Sequence, residues 1–352
     1  MQRRLSHDLP PAATYRTSDG LGIRRAFTLI EILVVIGLIA LLMSLLGVAV
    51  MSAISGARIA ATKGTIIKVQ GLLQQRLDAV MGKDPERTLV DSLAIPGRFP
   101  NRKQAEAIAR KITVRRAFPQ TWTEIATFYP ALLPRSNETA PSPPAPLRPQ
   151  ESAEVLYFLL TRADVLGYPP EGDDVFSTAE VRDTDNPPNG KLEIVDAWGQ
   201  PLRFYRWPTR LIRGGPFVAG GLTHTSASLN TARSLIPSLP TTTIDLVHDA
   251  DDKFGFLRVG TSGGLSLGEA TFFEQGGAPS SGAGSRFFGL GAFHTAETFS
   301  LPLILSAGPD QETGLFEPGN TVDLGFLAAP IPTAVNAIFD DISNYNIRSG
   351  GN

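Results

Sequence analysis

The sequence predicts an α+β protein in which one long N-terminal helix is followed by a head of short antiparallel strands, helices and large loops. Two observations support this prediction. The stretch from Phe27 to Met81 is largely apolar and contains no proline, whereas strand-like alternation appears only after residue 190. With 352 residues, the chain is long enough to bury a core.

The composition excludes several classes of function. The chain has no cysteine, so it has no disulfide, thiolate metal site or cysteine nucleophile. Its four histidines are scattered without helical i, i+4 pairing, and it has no phosphate-binding loop of the Walker type. The formal net charge of −2 does not suggest a nucleic-acid partner. We therefore predict that the chain is not an enzyme and has no catalytic residues.

A long uncharged segment predicts a membrane-spanning helix. The 26 residues from Ile32 to Ala57 contain no charged side chain, and about 20 suffice to cross a bilayer. Arg24 and Arg25 precede this segment, so the positive-inside tendency places the N-terminus in the cytoplasm and the head outside it. A secretory signal peptide is excluded because its apolar region spans only about 7 to 15 residues. A plain single-pass anchor remains an alternative.

One acidic residue stands at the start of this segment. A carboxylate such as Glu31 is costly beside a membrane-spanning helix unless it is paired. Two arginines followed by the string AFTLIEILVVIG, residues 26 to 37, resemble the class III signal of type IV pilins and pseudopilins. In the family that the chain resembles, a carboxylate at this position pairs with a neighbouring subunit.

The resemblance implies a processing event and an assembly contact. Prepilin peptidase would cut between Ala26 and Phe27 and methylate the new amino group of Phe27. Glu31 would then be the fifth residue of the mature chain and would pair with the Phe27 ammonium of a neighbouring subunit. This chain has Ala26 where the family usually has glycine.

The sequence divides the chain into four segments: a cleaved leader (1–26), a membrane and polymerisation segment (27–57), an amphipathic segment (58–82) and an extracytoplasmic head (83–352). The amphipathic segment continues the helix, with an apolar stripe that we expect to pack on the head. The stripe consists of Ile59, Ile66, Val69, Leu73, Leu77 and Val80. Gly82 and Pro85 predict the end of the helix.

The head is predicted to contain two helices, over 102–112 and 152–166, and two strands, over 191–197 and 202–207, that form a hairpin. Two further segments lack such patterns. Residues 130–150 form a proline-rich linker or loop, and residues 208–300 form an insertion rich in Gly, Ser and Thr.

The turn between the two predicted strands also resembles the family. Asp196, Trp198, Gly199 and Pro201 match a D-x-W-G-x-P element of the heads of type II secretion major pseudopilins. The resemblance implies a structural role, in which Trp198 fills the core while glycine and proline fix the turn.

The resemblance further implies a calcium loop near the C-terminus. A strand over 301–305 leads into Ser306 and Asp310, and a second acidic element contains Asp340 and Asp341. The three aspartates are candidate Ca²⁺ ligands, with Ser306 as a weaker one, and no other cofactor is implied. The alternative is a turn aspartate and an unrelated acidic helix cap, because 29 residues separate Asp310 from Asp340.

These observations predict a structural subunit of a type II secretion-type pseudopilus, located in the inner membrane. Its implied partners are further copies of itself, other pseudopilins, prepilin peptidase, a platform protein of the membrane and a separate ATPase. Two alternatives remain: a type IV pilin or minor tip subunit, and a membrane-tethered binding or enzymatic domain with a pilin-like N-terminus.

Overall fold

The computed structural model describes residues 28–94, 101–132, 148–208, 211, 217–219, 222–224, 302–320 and 325–348. Several predicted features lie outside these residues. They are the cleavage site at Ala26 and Phe27, most of the proline-rich segment and most of the insertion.

One helix dominates the N-terminal part of the chain. Helix α1 runs over Leu29–Met81, 53 residues, which corresponds to about 80 Å. This confirms the prediction of a single helix that stops at Gly82. The chain divides within α1 into two units, Met1–Ala53 and Ile54–Asn352.

The described part of the first unit is apolar and solvent-exposed. Every large apolar side chain from Leu29 to Met51 is exposed, for example 82% for Leu29 and 73% for Met51. Among the described residues, α1 is the one helix long and apolar enough to cross a membrane.

The second unit buries the later part of α1. The predicted apolar stripe is confirmed at Ile66, Val69, Leu73, Leu77 and Val80, which are at most 4% exposed. Polar contacts add to this packing: the Arg76 Nη1 donates to the Leu159 carbonyl at 2.7 Å, and the Lys68 Nζ lies 2.7 Å from the Glu180 Oε2.

The described residues of this unit contain four further α-helices: α2 (Arg87–Leu93), α3 (Arg102–Ala117), α4 (Trp122–Phe128) and α5 (Glu151–Thr161). Side-chain caps begin two of them, because Asn101 accepts from the Lys103 amide and Thr121 from the Glu124 amide. Both predicted helices are present, but α3 is longer and α5 shorter than expected. Short 3₁₀-helices lie at Pro130–Leu132, Asp173–Val175, Gly325–Leu327, Val335–Asp340 and Asn346–Arg348.

The described strands are short and pair only antiparallel. They are β1 (Val181–Arg182), β2 (Glu193–Ile194), β3 (Arg203–Tyr205), β4 (Phe217–Ala219), β5 (Leu222–His224), β6 (Leu303–Ser306) and β7 (Ile342–Ser343). They form one three-stranded sheet, β3-β6-β7, and two pairs, β1-β2 and β4-β5. The fold is thus a long helix with small antiparallel sheets, consistent with the α+β class.

The predicted hairpin forms only next to its turn. β2 pairs with β1, and β3 pairs with β6, so the two strands belong to different sheets. Only the turn between them is closed, by a bridge from Val195 to Pro201 and a 2.9 Å bond from the Leu202 amide to the Ile194 carbonyl. β3 pairs along one edge with β6, which lies about one hundred residues later in the chain.

The register of the three-stranded sheet positions the C-terminal loops. Ser306, the last residue of β6, lies opposite Ile342, the first residue of β7. The residues that follow β6 and those that precede β7 therefore meet at one end of the sheet, where these two strands end and begin.

Candidate functional site

The first helical turn of α1 contains a reciprocal capping box. The Glu31 Oε2 accepts from the Thr28 amide at 2.8 Å and from the Thr28 Oγ1 at 2.9 Å, and the Glu31 amide donates to the Thr28 Oγ1 at 3.2 Å. This is the Thr-x-x-Glu pattern of helix starts. The role of Thr28 was missed in the sequence, although the spacing is visible there. Glu31 therefore has a partner within its own chain.

The predicted Asp196 turn forms, and its aspartate also binds a residue of β6. The Asp196 Oδ1 accepts from the Trp198 and Gln200 amides at 2.9 Å each, while its Oδ2 accepts from the Ser306 hydroxyl at 2.7 Å. Gly199 has φ +84°, a conformation that favours glycine. Trp198 is only partly buried and packs against the edge of the core, so it does not fill it as expected.

The structure brings the predicted calcium ligands Asp310 and Asp340 together despite their distance in sequence. The Asp310 amide donates to the Asp340 Oδ2 at 3.1 Å. Gly308 has φ +68°, and a Cβ there would lie 2.3 Å from the Asp340 carbonyl oxygen, so the two chain segments approach closely. We call residues 306–310 together with 340–341 the aspartate loop.

Asp341 is the buried member of the aspartate loop. It is 4% exposed, and neither carboxylate oxygen makes a hydrogen bond of ordinary length and angle with the described residues. Burial, followed by the nearby charges of Asp340 and Asp310, raises its pKa to about 8, against the opposing effects of the Gly314 amide and Arg203. An unpaired buried carboxylate suits a hard cation such as Ca²⁺.

Ser306, the weaker predicted ligand, already takes part in two hydrogen bonds. Its hydroxyl donates to Asp196 and accepts from the Gly308 amide at 3.2 Å. The Asp196 turn and the start of the loop therefore use its one donor and one of its two acceptor lone pairs. A calcium site here would rest on Asp310, Asp340 and Asp341.

A second acidic site was not predicted. Glu154 of α5, Asp185 after β1 and Glu193 of β2 each place one carboxylate oxygen within 4.8 Å of the others. Among the described residues, this is the one group of three potential metal-ligating side chains that meets this distance. We call these three residues the glutamate cluster.

Several donors surround the glutamate cluster. The Arg148 Nη1 lies 3.2 Å from the Glu154 Oε1 and 3.1 Å from the Asp185 Oδ2. The Trp122 Nε1 donates to the Glu154 Oε2 at 2.5 Å. The Asn189 Nδ2 donates to the Glu154 Oε1 at 3.0 Å and also to Asp185. Glu154 is therefore well satisfied although its side chain is 0% exposed.

Glu193 is satisfied on one side only. Its Oε2 accepts from the Thr184 amide at 2.8 Å, whereas its Oε1 has no partner among the described residues, and the residue is 0% exposed. Burial raises the pKa of Glu193 to about 8 against the opposing hydrogen bond from the Thr184 amide, and the charges of Glu154, Asp185 and Asp183 add smaller contributions in the same direction as burial.

A third buried acid provides a contrast. Glu124 lies between two arginines, with its Oε2 2.9 Å from the Arg206 Nη1 and its Oε1 3.0 Å from the Arg115 Nε. Burial alone would raise its pKa, but Arg206 and Arg115 lower it to about 2. Each carboxylate oxygen of Glu124 therefore has a cationic partner.

Comparisons with models of known protein families, with curated proteins and with solved structures found no match.

Proposed function

We propose that the chain is a membrane-anchored filament subunit of the type IV pilin-like class, and specifically a pseudopilin of a type II secretion-type system. One observation carries the proposal. Helix α1 is continuous over Leu29–Met81, its first part is apolar and exposed, and its first turn contains the single acid Glu31. A charged group at this place needs a specific role, because its burial in a membrane is costly.

In this proposal, prepilin peptidase cuts between Ala26 and Phe27 and methylates Phe27. The mature helix spans the inner membrane once, with the head outside the cytoplasm. Polymerisation with further copies and other pseudopilins requires a platform protein and a separate ATPase, since the sequence contains no Walker-type loop.

The assembly contact pairs opposite charges. The Thr28 hydroxyl and amide hydrogen-bond the Glu31 carboxylate but do not neutralise it. The Phe27 ammonium of a neighbouring subunit supplies that neutralisation, so the charge pair favours one axial register between adjacent helices.

The processing step is tested by expressing the chain with and without a prepilin peptidase. We expect the mature protein to begin at Phe27 with a methylated amino group, measured by N-terminal sequencing and mass spectrometry. A mature protein that keeps Met1, or that begins after Ala57, would contradict the proposal.

The assembly contact is tested with two variants that separate charge from capping. Glu31→Gln retains the capping box, because glutamine also serves at this position, but removes the charge. We expect it to insert normally and to form filaments at less than about a tenth of the wild-type yield. Thr28→Ala removes the cap but keeps the charge, so we expect it to assemble. Filament recovery after cross-linking measures both, and wild-type assembly by Glu31→Gln would exclude the charge-pair role.

The capping box also favours a second candidate function. If the Thr28 contacts are the whole role of Glu31, the chain is a membrane-tethered head that does not polymerise. In that case Thr28→Ala and Glu31→Ala would have similar effects on helix stability, and neither would alter self-association. Comparing self-association of the Glu31 and Thr28 variants therefore distinguishes a filament subunit from a membrane-tethered head.

Calcium binding at the aspartate loop is part of the proposal. The buried, unpaired carboxylate of Asp341 fits a cation, and the Asp310 amide already lies 3.1 Å from the Asp340 Oδ2. A bound Ca²⁺ would supply positive charge between the two segments and stabilise their closure at the edge of the sheet.

A further inference from the structure

The glutamate cluster has no role in the proposed filament contact. Its three carboxylates come from α5, from β2 and from the loop that follows β1, so three separate chain segments converge on it. Two of them, Glu154 and Glu193, are at most 1% exposed. Burying several acids together is unfavourable unless the charge is compensated.

The protein compensates only part of this charge. Three carboxylates face one guanidinium, that of Arg148, whose contacts are to Glu154 and Asp185. The neighbouring charges Asp183 and Lys191 have opposite signs. A divalent cation would bring the net charge of the three acids and Arg148 to zero.

An independent observation points to a ligand. The Glu193 Oε1 is buried and has no hydrogen-bond partner among the described residues, whereas such groups are normally paired. The donors Trp122, Asn189 and Arg148 satisfy the other two acids, so they do not explain this oxygen. It belongs to a carboxylate that converges on its neighbours to within 4.8 Å.

We propose that Glu154, Asp185 and Glu193 bind a hard divalent cation, with Ca²⁺ as the expected ion. Carboxylate oxygens are the ligands that Ca²⁺, Mg²⁺ and Mn²⁺ prefer, and the donor set contains no imidazole or thiolate that would favour zinc or copper. Ca²⁺ is expected because it tolerates an irregular arrangement of oxygens, whereas Mg²⁺ requires nearly octahedral geometry. The Arg148 guanidinium remains beside Asp185 and offsets the third negative charge.

The test uses the full chain in detergent micelles, with Asp340→Asn and Asp341→Asn introduced together to remove the aspartate loop as a competing site. Calcium chloride is titrated into the metal-free protein by calorimetry, and thermal unfolding is followed with and without the cation. We expect one binding event. We also expect the melting temperature to rise by about 5 °C at a cation concentration about 100-fold above Kd.

Further substitutions in this background locate the cation. Asp185→Asn and Glu193→Gln should each weaken binding at least about tenfold and remove the thermal shift, because each removes a charged ligand. Asp173→Asn is the matched control, since this exposed acid pairs with Arg162 outside the cluster. In metal-free buffer the Glu193→Gln protein should melt no lower than its parent, because glutamine keeps the shape of the side chain and has no charge to bury. That measurement separates lost binding from lost folding.

Terbium luminescence gives a second readout. Tb³⁺ takes the oxygen ligands of Ca²⁺ and is excited by energy transfer from a nearby indole. Trp122 contacts the ligand Glu154, so we expect the sensitised emission to fall in Trp122→Phe and to persist in Trp198→Phe. The proposal is overturned if Ca²⁺, Mg²⁺ and Mn²⁺ all fail to bind the protein that carries Asp340→Asn and Asp341→Asn. It is equally overturned if binding is undiminished in both Asp185→Asn and Glu193→Gln.

Discussion

The aspartate loop and the glutamate cluster are both acidic, but the protein treats them differently. In the glutamate cluster, Arg148, Trp122 and Asn189 hold two of the three acids, so part of the cluster is already built into the fold. In the aspartate loop, the buried carboxylate of Asp341 has no hydrogen-bond partner among the described residues. The comparison suggests that the first site has a structural framework of its own, whereas the second depends more on an added cation.

The largest expected effect is a loss of stability with rising pH in the metal-free protein. The pKa values of Glu193 and Asp341 are both raised to about 8, so the folded state retains protons that the unfolded state has released. The free energy of unfolding should therefore be highest near pH 4 to 5. It should fall towards pH 8, by at most about 1.4 kcal/mol per pH unit for each group.

Urea unfolding at several pH values in chelator measures this slope. Glu193→Gln and Asp341→Asn should each reduce it, and saturating Ca²⁺ should also reduce it by favouring the deprotonated forms. A stability that rises steadily from pH 5 to pH 8 would show that neither carboxylate is protonated in the folded protein.

The next largest effect is expected for Glu154→Ala. This substitution leaves Arg148 and the Trp122 Nε1 without their buried partner, at a cost of about 3 to 5 kcal/mol in the free energy of unfolding. The control Asp173→Ala removes an exposed acid and should change stability by no more than about 0.5 kcal/mol. Equal effects of the two substitutions would mean that the glutamate cluster has no structural framework.

Gly308→Ala tests the closure of the aspartate loop. The added Cβ would lie 2.3 Å from the Asp340 carbonyl oxygen, so the two segments must separate. Gly167→Ala is the matched control, because Gly167 has a similar φ of +75° but no atom within 4 Å of the added Cβ. We expect Gly308→Ala to cost about 1 to 3 kcal/mol more than the control in chemical unfolding. No difference would mean that the two segments are not held together.

The smallest effect is expected for Ser306→Ala. Loss of its hydrogen bond to Asp196 should cost about 1 to 2 kcal/mol of stability, because the Asp196 Oδ2 is left unpaired. If Ser306 acts only through Asp196, the Ca²⁺ affinity of the aspartate loop should change by less than about twofold. Calorimetry measures the affinity, and a much larger loss of Ca²⁺ affinity would indicate that Ser306 is a ligand.

The sequence was most informative where local pattern decides structure. The absence of proline up to Met81 and the Gly82 stop predicted α1, and the spacing of Ile66, Val69 and Leu73 predicted its buried face. These signals depend on neighbours within one or two helical turns, so no knowledge of the rest of the fold is needed.

Long-range pairing could not be predicted from the same signals. β3 pairs with β6, which lies about a hundred residues later, and nothing local to Leu202 or Trp207 indicates this partner. The aspartate loop was found only through a family resemblance. It was the pairing of Ser306 with Ile342 that explained how its two segments meet.

The glutamate cluster escaped prediction for a physical reason. Glu154 lies on the helix beside Val155 and Leu156, and Glu193 lies on a strand whose alternation would place it towards solvent. In the structure both residues of β2 are buried, so the alternation fails at this position. The sequence offered one signal for a buried acid, namely that Glu154 stands within an apolar segment of the helix.

The capping box at the start of α1 has a consequence for maturation. Both of its residues, Thr28 and Glu31, lie downstream of the proposed cut, so the mature chain inherits an intact helix nucleus. Removal of the leader would then expose a new amino terminus without unwinding the first turn. If the chain is processed as proposed, the subunit would join its neighbours with its first helical turn already formed.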